Sequence, residues 1–380
     1  MKVLDSIDKY KKAAKVINSI GGPKLPITDT LVDILKHILK EKDLDLIFAF
    51  KRKSSLTLEQ LKQNSKLSEE DILIKIDLLA KKGVIFYHPN RYGTMIYRLS
   101  PFMYIFDYSF MRDLEPTEYN KKLANLFNQM YNDIGDFVQN MYDAILPIMQ
   151  QLPPINRIIP ILKNKKDGRE INIFINEEIE VPVEKILSTQ KVEEIIEKFD
   201  DIAVGNCYCR NFNKLLGFPC LINAPLKTCF SFGRAARYSS EQGFASLVSK
   251  SEALKILMDA EKLGLVHKTF HINNDIYRDE TAICNCCKCC CENARLNLKY
   301  PLSQATNYLA SIDHNLCKGS ALCIENCYNE AILLNDKKKA EINEDYCIGC
   351  GTCASLCPEG AISLLEGPRI VRIIPPRRTS

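Results

Sequence analysis

Apolar residues recur at helical spacing near the start of the chain. Leu31, Ile34, Leu35 and Ile38 follow a period of about 3.6 residues, which is typical of one buried face of a helix. We therefore expect N-terminal helices within residues 1–41.

Residues 42–100 show three further helical patterns and then two β-rich runs. Thr57 and Ser68 are suited to cap the second and third of these helices, and Gly83 is placed to end the third. The runs VIFYH and TMIYRLS flank the turn sequence PNRYG, which predicts a β-hairpin. Three helices and a hairpin in this order resemble a winged-helix domain.

The charges in this region argue against reading the major groove of DNA. The third helix begins with Glu69, Glu70 and Asp71, whose carboxylates would repel phosphates where a recognition helix enters the groove. The whole chain has 51 basic and 47 acidic residues, a balance that gives no general affinity for nucleic acid. We favour protein contact or a homodimer through the N-terminal region, with DNA as the weaker alternative.

Residues 101–165 show aromatic and helical patterns that prolines interrupt, and we expect a helical linker region there. No stretch reaches the ~18 uninterrupted apolar residues of a membrane helix. The N-terminus also lacks the apolar core of a signal peptide. These patterns predict a cytoplasmic protein that does not span a membrane.

The cysteines divide the chain into two halves. All 17 lie between Cys207 and Cys357. Clustered thiols without a secretory signal indicate metal rather than disulfides. We therefore expect a multidomain α+β protein, with a cysteine-rich α+β domain over residues 166–300, a second cysteine region over 308–367 and a basic tail over 368–380.

The strongest motif is C-x2-C-x2-C-x3-C-P near the C-terminus. Its thiols are Cys347, Cys350, Cys353 and Cys357. Three thiolates at intervals of three on a tight loop can each reach a different iron of one cubane cluster, while the fourth points away. A degenerate copy lies upstream, where the matching positions are Cys317, Ser320, Cys323 and Cys327.

This tandem resembles the bacterial-type ferredoxins, which carry two [4Fe-4S] clusters on a tandem βαβ fold. The resemblance implies that the fourth cysteine of each motif serves the cluster of the other motif. It assigns the first cluster to Cys347, Cys350, Cys353 and Cys327. It assigns the second cluster to Cys317, Cys323 and Cys357, with Ser320 in the position of the missing ligand.

Ser320 makes the second cluster position unusual. A serine oxygen is a harder and more basic ligand than a thiolate, so it holds iron less well. The site could hold a [3Fe-4S] cluster, a [4Fe-4S] cluster with a serine or exogenous ligand, or no cluster.

Ten further cysteines lie in the middle domain. They are Cys207, Cys209, Cys220, Cys229, Cys284, Cys286, Cys287, Cys289, Cys290 and Cys291. So many thiols indicate a further iron–sulfur site, with zinc or a redox-active dithiol as alternatives. In an extended run, Cys284 and Cys286 would face one side, and Cys287, Cys289 and Cys291 the other. The spacing itself assigns no ligands.

These motifs favour an iron–sulfur electron-transfer protein, a ferredoxin-type redox subunit that relays electrons between partner oxidoreductases. One alternative is a redox-sensing winged-helix transcription regulator, and another is an enzyme with chemistry at an open iron. No catalytic residue can be named, and a carrier is favoured over a stand-alone catalyst. The pattern also resembles ferredoxin-domain proteins of anaerobes, which implies sensitivity to oxygen.

Overall fold

The computed structural model describes residues 2–21, 24–112, 115–175, 191–272, 275–296 and 300–378. The helices of these ranges are α1 (Lys2–Asn18), α2 (Asp29–Ile38), α3 (Leu44–Ala49), α4 (Leu58–Ser65), α5 (Glu69–Ala80), α6 (Phe102–Phe110), α7 (Glu118–Asn140), α8 (Tyr142–Met149), α9 (Val192–Glu197), α10 (Tyr208–Leu215), α11 (Gly233–Glu241), α12 (Lys250–Lys262), α13 (Glu292–Leu296), α14 (Leu322–Glu325) and α15 (Thr352–Leu356). Within the same ranges, no helix has the length and apolar character that crossing a membrane requires.

The strands complete a mixed α and β architecture. They are β1 (Ser55–Leu56), β2 (Ile85–Pro89), β3 (Met95–Leu99), β4 (Asn156–Ile159), β5 (Ile173–Ile175), β6 (Ile202–Asn206), β7 (Lys227–Phe232), β8 (Ala245–Leu247), β9 (Val266–His271), β10 (Glu280–Cys286), β11 (Leu302–Ile312), β12 (Ile332–Leu334), β13 (Ala340–Ile342) and β14 (Ile362–Ile373).

The chain forms two compact units. The first comprises Met1–Asn140, Gly205–Phe218 and Arg237–Ser246, and the second comprises Met141–Val204, Pro219–Ala236 and Leu247–Ser380. Two segments of the predicted cysteine-rich region, residues 205–218 and 237–246, therefore belong to the first unit.

The first unit contains the helices and the hairpin expected for residues 42–100. Gln60 N donates to Thr57 Oγ1 at the start of α4, and Asp71 N donates to Ser68 Oγ at the start of α5. Gly83, with φ of +70°, follows α5 in the left-handed conformation. The short strand β1 was not expected, and it extends the hairpin to a sheet of order β1-β3-β2. The likeness to a winged helix stays a prediction.

The second unit is built on a large sheet in which the strands β5-β14-β11-β4-β9-β10-β7-β6 are neighbours in this order. β4 lies between β11 and β9, and all four of its residues are buried. The expectation of a helical linker over residues 101–165 is wrong for this segment. A strand buried on both faces shows no alternation of apolar and polar residues, so its pattern was not recognised.

β14 pairs antiparallel with β11 from Ile312↔Ile362 to Leu302↔Ile373. Residues 368–373, expected to belong to a basic tail, are therefore strand, and this part of the prediction is wrong. On β14, the exposed Arg372 lies between Val371 and Ile373, which are buried. Between β11 and β14 the chain forms α14, the β12–β13 hairpin and α15, and most of the cysteines of this segment are buried within one apolar cluster.

Candidate metal centres

The loop that carries Cys347, Cys350 and Cys353 packs tightly against neighbouring backbone. Gly349 and Gly351 have φ of +60° and +73°, in the left-handed region. A Cβ atom at Gly349 would overlap the carbonyl oxygen of Tyr308, and one at Gly351 would overlap that of Ile161. Two glycines are therefore required for this loop to approach the sheet.

Four thiols gather at this loop: Cys327, Cys347, Cys350 and Cys353. The pKa of the Cys350 thiol is raised to about 11, mainly by burial; hydrogen bonds with Thr352 oppose this rise, and the neighbouring Cys327 and Cys347 add to it. Burial also raises the pKa of Cys353 well above its usual value, with Cys350, Cys347 and Cys327 adding to the effect. The structure thus brings together the four cysteines that the resemblance to ferredoxins assigns to the first cluster.

The degenerate motif surrounds a cavity of its own. Cys317, Ser320, Cys323 and Cys357 line it, together with backbone and side chains of their neighbours. Burial raises the pKa of the Cys323 thiol, and Cys357 and Cys317 raise it further. Ser320 is exposed, whereas the matching Cys350 is half-buried. The fourth position of this site is therefore the one that faces solvent.

The backbone of the degenerate loop retains the form of the intact loop. Gly319 has φ of +72° and Ala321 has φ of +62°, matching Gly349 and Gly351. An L-residue such as alanine held in the left-handed region costs about 1–2 kcal/mol. The loop keeps this strained conformation although Ser320 has replaced a thiol.

Four of the middle cysteines form a compact group. Cys220, Cys287, Cys289 and Cys290 have Sγ atoms within 4.8 Å of one another. The chain turns over residues 288–290, after β10 ends at Cys286, and Cys291 N donates to Cys287 O. The alternation that an extended run would give does not continue past Cys286, because the strand stops before Cys287.

A second set of thiols lies beside the C-terminal motif. The Cys286 thiol hydrogen-bonds with Cys284 and Cys291, and these bonds and burial raise its pKa well above the usual value. Tyr328 Oη donates to Cys291 Sγ at 2.8 Å and accepts from Lys268 Nζ at 3.0 Å. The sequence indicated no role for Lys268, and it marked Tyr328 only as a tyrosine in place of the proline that follows Cys357 in the intact motif.

The remaining middle cysteines are buried elsewhere. Cys229 lies in β7, in the second unit, whereas Cys207 and Cys209 belong to the first unit. Beside Cys207, burial raises the pKa of the Asp107 carboxyl to about 8, and the Cys207 thiol adds to this effect. The compact group of four includes neither Cys207, Cys209 nor Cys229.

Comparisons with known proteins agree with the motif in the C-terminal segment. Residues 310–364 match the family described as a 4Fe-4S dicluster domain. An uncharacterized ferredoxin of Methanocaldococcus jannaschii is 38% identical over 56 residues, which span 14% of this chain and 90% of that relative. No solved structure matches the chain.

Proposed function

Because the chain belongs, through its C-terminal domain, to the 4Fe-4S dicluster ferredoxins, we propose that it relays single electrons between partner oxidoreductases. One observation carries the proposal: two loops of the same backbone form present thiols to two separate sites between β11 and β14. Two clusters on so small a fold are close enough to exchange electrons.

The first cluster is assigned to Cys347, Cys350, Cys353 and Cys327. Three of these thiols come from one glycine-bearing loop and the fourth from the end of the other motif, the crossed arrangement of dicluster ferredoxins. Ile161 N donates to Cys350 O at 3.0 Å, so backbone outside the motif covers this loop. The first cluster is accordingly the enclosed one.

The second cluster is assigned to Cys317, Cys323 and Cys357, with its open position at Ser320. The strained Ala321 supports a filled site, because a loop without a cluster would have no reason to retain that conformation. With three thiolates, the site suits a [3Fe-4S] cluster or a [4Fe-4S] cluster whose fourth iron carries serine or solvent. Exposure at Ser320 makes this cluster the entry point for electrons.

Charge around the two loops indicates the kind of partner. Residues 312–365 carry eight acidic side chains against four lysines, and all eight are exposed: Asp313, Glu325, Glu330, Asp336, Glu341, Glu344, Asp345 and Glu359. Such a surface favours docking to a basic patch on another redox protein.

The test replaces serine by cysteine at position 320 and cysteine by serine at the matching position 350, in protein purified without oxygen. Ser320→Cys should give about eight irons per chain and two [4Fe-4S] signals in electron paramagnetic resonance after reduction. Cys350→Ser should weaken the first cluster and lower the number of electrons taken up from dithionite. Unchanged spectra and electron uptake in both variants would contradict the proposal.

The N-terminal unit is proposed to make protein contacts, by homodimerisation or with a redox partner. On α5, Leu73, Ile74 and Leu78 are exposed by 43%, 55% and 45%, and the helix begins with acidic residues. An apolar, acidic helix suits protein better than phosphate. Light scattering of Ile74→Lys against wild type tests self-association, and a gel shift with DNA at low salt would favour the regulator instead.

A further inference from the structure

The compact group of Cys220, Cys287, Cys289 and Cys290 has all four Sγ atoms within 4.8 Å of one another. Cys220 Sγ lies 3.9 Å from Cys287 Sγ and 3.7 Å from Cys289 Sγ, and Cys289 Sγ lies 3.7 Å from Cys290 Sγ. Within the described ranges, which include all the cysteines, no other set of three or more thiols, imidazoles or carboxylates is this compact.

These distances distinguish a single ion from a cluster. Four sulfurs bonded at about 2.3 Å to one tetrahedral ion lie about 3.8 Å from each other, since the edge of a tetrahedron is ~1.63 times the distance from its centre to a corner. The thiolates on a cubane cluster each bind a different iron, so their sulfur atoms lie farther apart than those of thiolates that share one ion. Among the described residues, no three thiols of the C-terminal motifs lie within 4.8 Å of one another.

We propose that Cys220, Cys287, Cys289 and Cys290 bind one zinc ion in a tetrahedral site of four thiolates. Soft thiolates in this geometry suit zinc, which prefers four ligands and undergoes no redox change. All four coordination positions are taken by protein, so the ion is structural rather than catalytic.

The surroundings of the four thiols fit a closed structural site. Cys287 and Cys290 are buried, and Ala224, Ala260 and Leu265 pack against the group. The backbone N–H of Leu221 donates a hydrogen bond to the Cys289 thiol. Hydrogen bonds of this kind hold metal ligands in position.

Zinc at this position would join two segments that have little regular structure. Residues 217–226 contain neither helix nor strand, and residues 287–291 form a turn. Cys220 and Cys287 are 67 residues apart in the sequence. A metal bond across this separation supplies the order that backbone pairing does not provide.

The zinc-bound turn also meets the C-terminal motif. Cys291 accepts the hydrogen bond from Tyr328, and Lys288 pairs with Glu330 at 3.2 Å. The turn that carries the proposed zinc ligands therefore contacts residues beside Cys327, and it supplies no ligand to the first cluster.

The decisive measurement is zinc K-edge X-ray absorption on the intact, anaerobically purified protein. We expect about one zinc per chain with four sulfur neighbours near 2.3 Å. The proposal would be overturned if the protein contained no zinc. It would also be overturned if the zinc had nitrogen or oxygen ligands, or iron atoms as neighbours. This element-specific readout does not depend on electron transfer, so it can fail or succeed independently of the proposed function.

Matched variants assign the ligands. Cys220→Ser should lower zinc content at least fivefold while iron and acid-labile sulfide stay at the wild-type level. Cys229→Ser, at a buried thiol outside the group, should retain zinc. Loss of iron instead of zinc in Cys220→Ser would identify a cluster and refute the zinc site. If Cys220→Ser does not fold, the absorption spectrum of the wild-type protein decides.

Discussion

At the residue scale, Tyr328 links a buried cation to the thiols. Lys268 is fully buried and donates to Gln304 Oε1 at 2.7 Å and to Tyr328 Oη at 3.0 Å, while Tyr328 donates to Cys291. A buried ammonium requires its hydrogen-bond acceptors, because water cannot replace them. The Tyr328 hydroxyl therefore satisfies two groups at once.

Tyr328→Phe should lower the free energy of unfolding by about 1–3 kcal/mol, because it removes an acceptor from Lys268 and a donor from Cys291. The ring over Lys268 would remain, so the loss reports the hydroxyl alone. Tyr346→Phe is the control, since Tyr346 is 41% exposed. Urea titration without oxygen measures the free energy of unfolding of both variants. An equal loss in the two variants would refute the role of the Tyr328 hydroxyl.

Asp107 should make stability depend on pH. Its pKa is raised to about 8 by burial and by Cys207, so between about pH 4 and 8 the carboxyl ionises in the unfolded chain but stays protonated in the folded one. This difference destabilises the fold progressively as pH rises through that window. At lower pH the carboxyl is neutral in both states and costs nothing.

Asp107→Asn should therefore raise the free energy of unfolding by about 1–3 kcal/mol at pH 7.5, and by less at pH 5.5. Asp8→Asn, at an exposed carboxyl of the same unit, is the control and should change little. Urea midpoints followed by circular dichroism at the two pH values decide the matter. A gain that does not vary with pH would contradict the raised pKa.

What the sequence could predict at this scale follows from local spacing. The cysteines of each C-terminal motif and the departure at Ser320 lie within short loops, so both motifs were readable, whereas the crossed grouping of Cys327 and Cys357 was implied by the resemblance to ferredoxins. Cys220 joins Cys287 only through the fold of the sheet, and Lys268 meets Tyr328 across 60 residues. Contacts of that range leave no periodic signal in the chain.

At the scale of elements, close packing of the first-cluster loop makes Gly349 sensitive to substitution. Gly349→Ala should displace the loop from Tyr308 and reduce iron content by about four per chain. Gly360 has φ of +61° but nothing within 4 Å of a Cβ atom, so Gly360→Ala should cost only about 1–2 kcal/mol and retain iron. Iron analysis distinguishes the two; equal iron content would show that the overlap is tolerated.

Caps, turns and helical periodicity made most elements of residues 42–100 predictable. The strands β4 and the end of β14 were missed, because both depend on partners far away in the sequence. Arg157, on β4, is buried within the sheet, a position that residue-by-residue polarity would assign to the surface. Sheet membership, unlike helix formation, is decided by pairing.

At the scale of the whole molecule, the acidic surface of the ferredoxin domain should govern the speed of electron exchange. With a cationic one-electron acceptor, the rate should fall several-fold as salt rises from about 20 to 300 mM. With an anionic acceptor it should rise. Stopped-flow oxidation of the reduced protein tests both, and Glu359→Gln, beside the Ser320 cavity, should weaken both trends. The same salt trend with both acceptors would exclude electrostatic docking.

The sequence order of the metal ligands has a consequence for biogenesis. Cys220, Cys287, Cys289 and Cys290 all precede Cys317, the first cysteine of the cluster motifs. On the ribosome, which adds about 5–20 residues per second, the proposed zinc ligands are complete before any of the proposed cluster ligands has been made. β14, which must pair with β11 to enclose both cluster loops, is made later still. A cell short of cluster-assembly factors would thus accumulate a zinc-loaded intermediate with an unclosed C-terminal sheet, ready to accept its clusters when the supply returns.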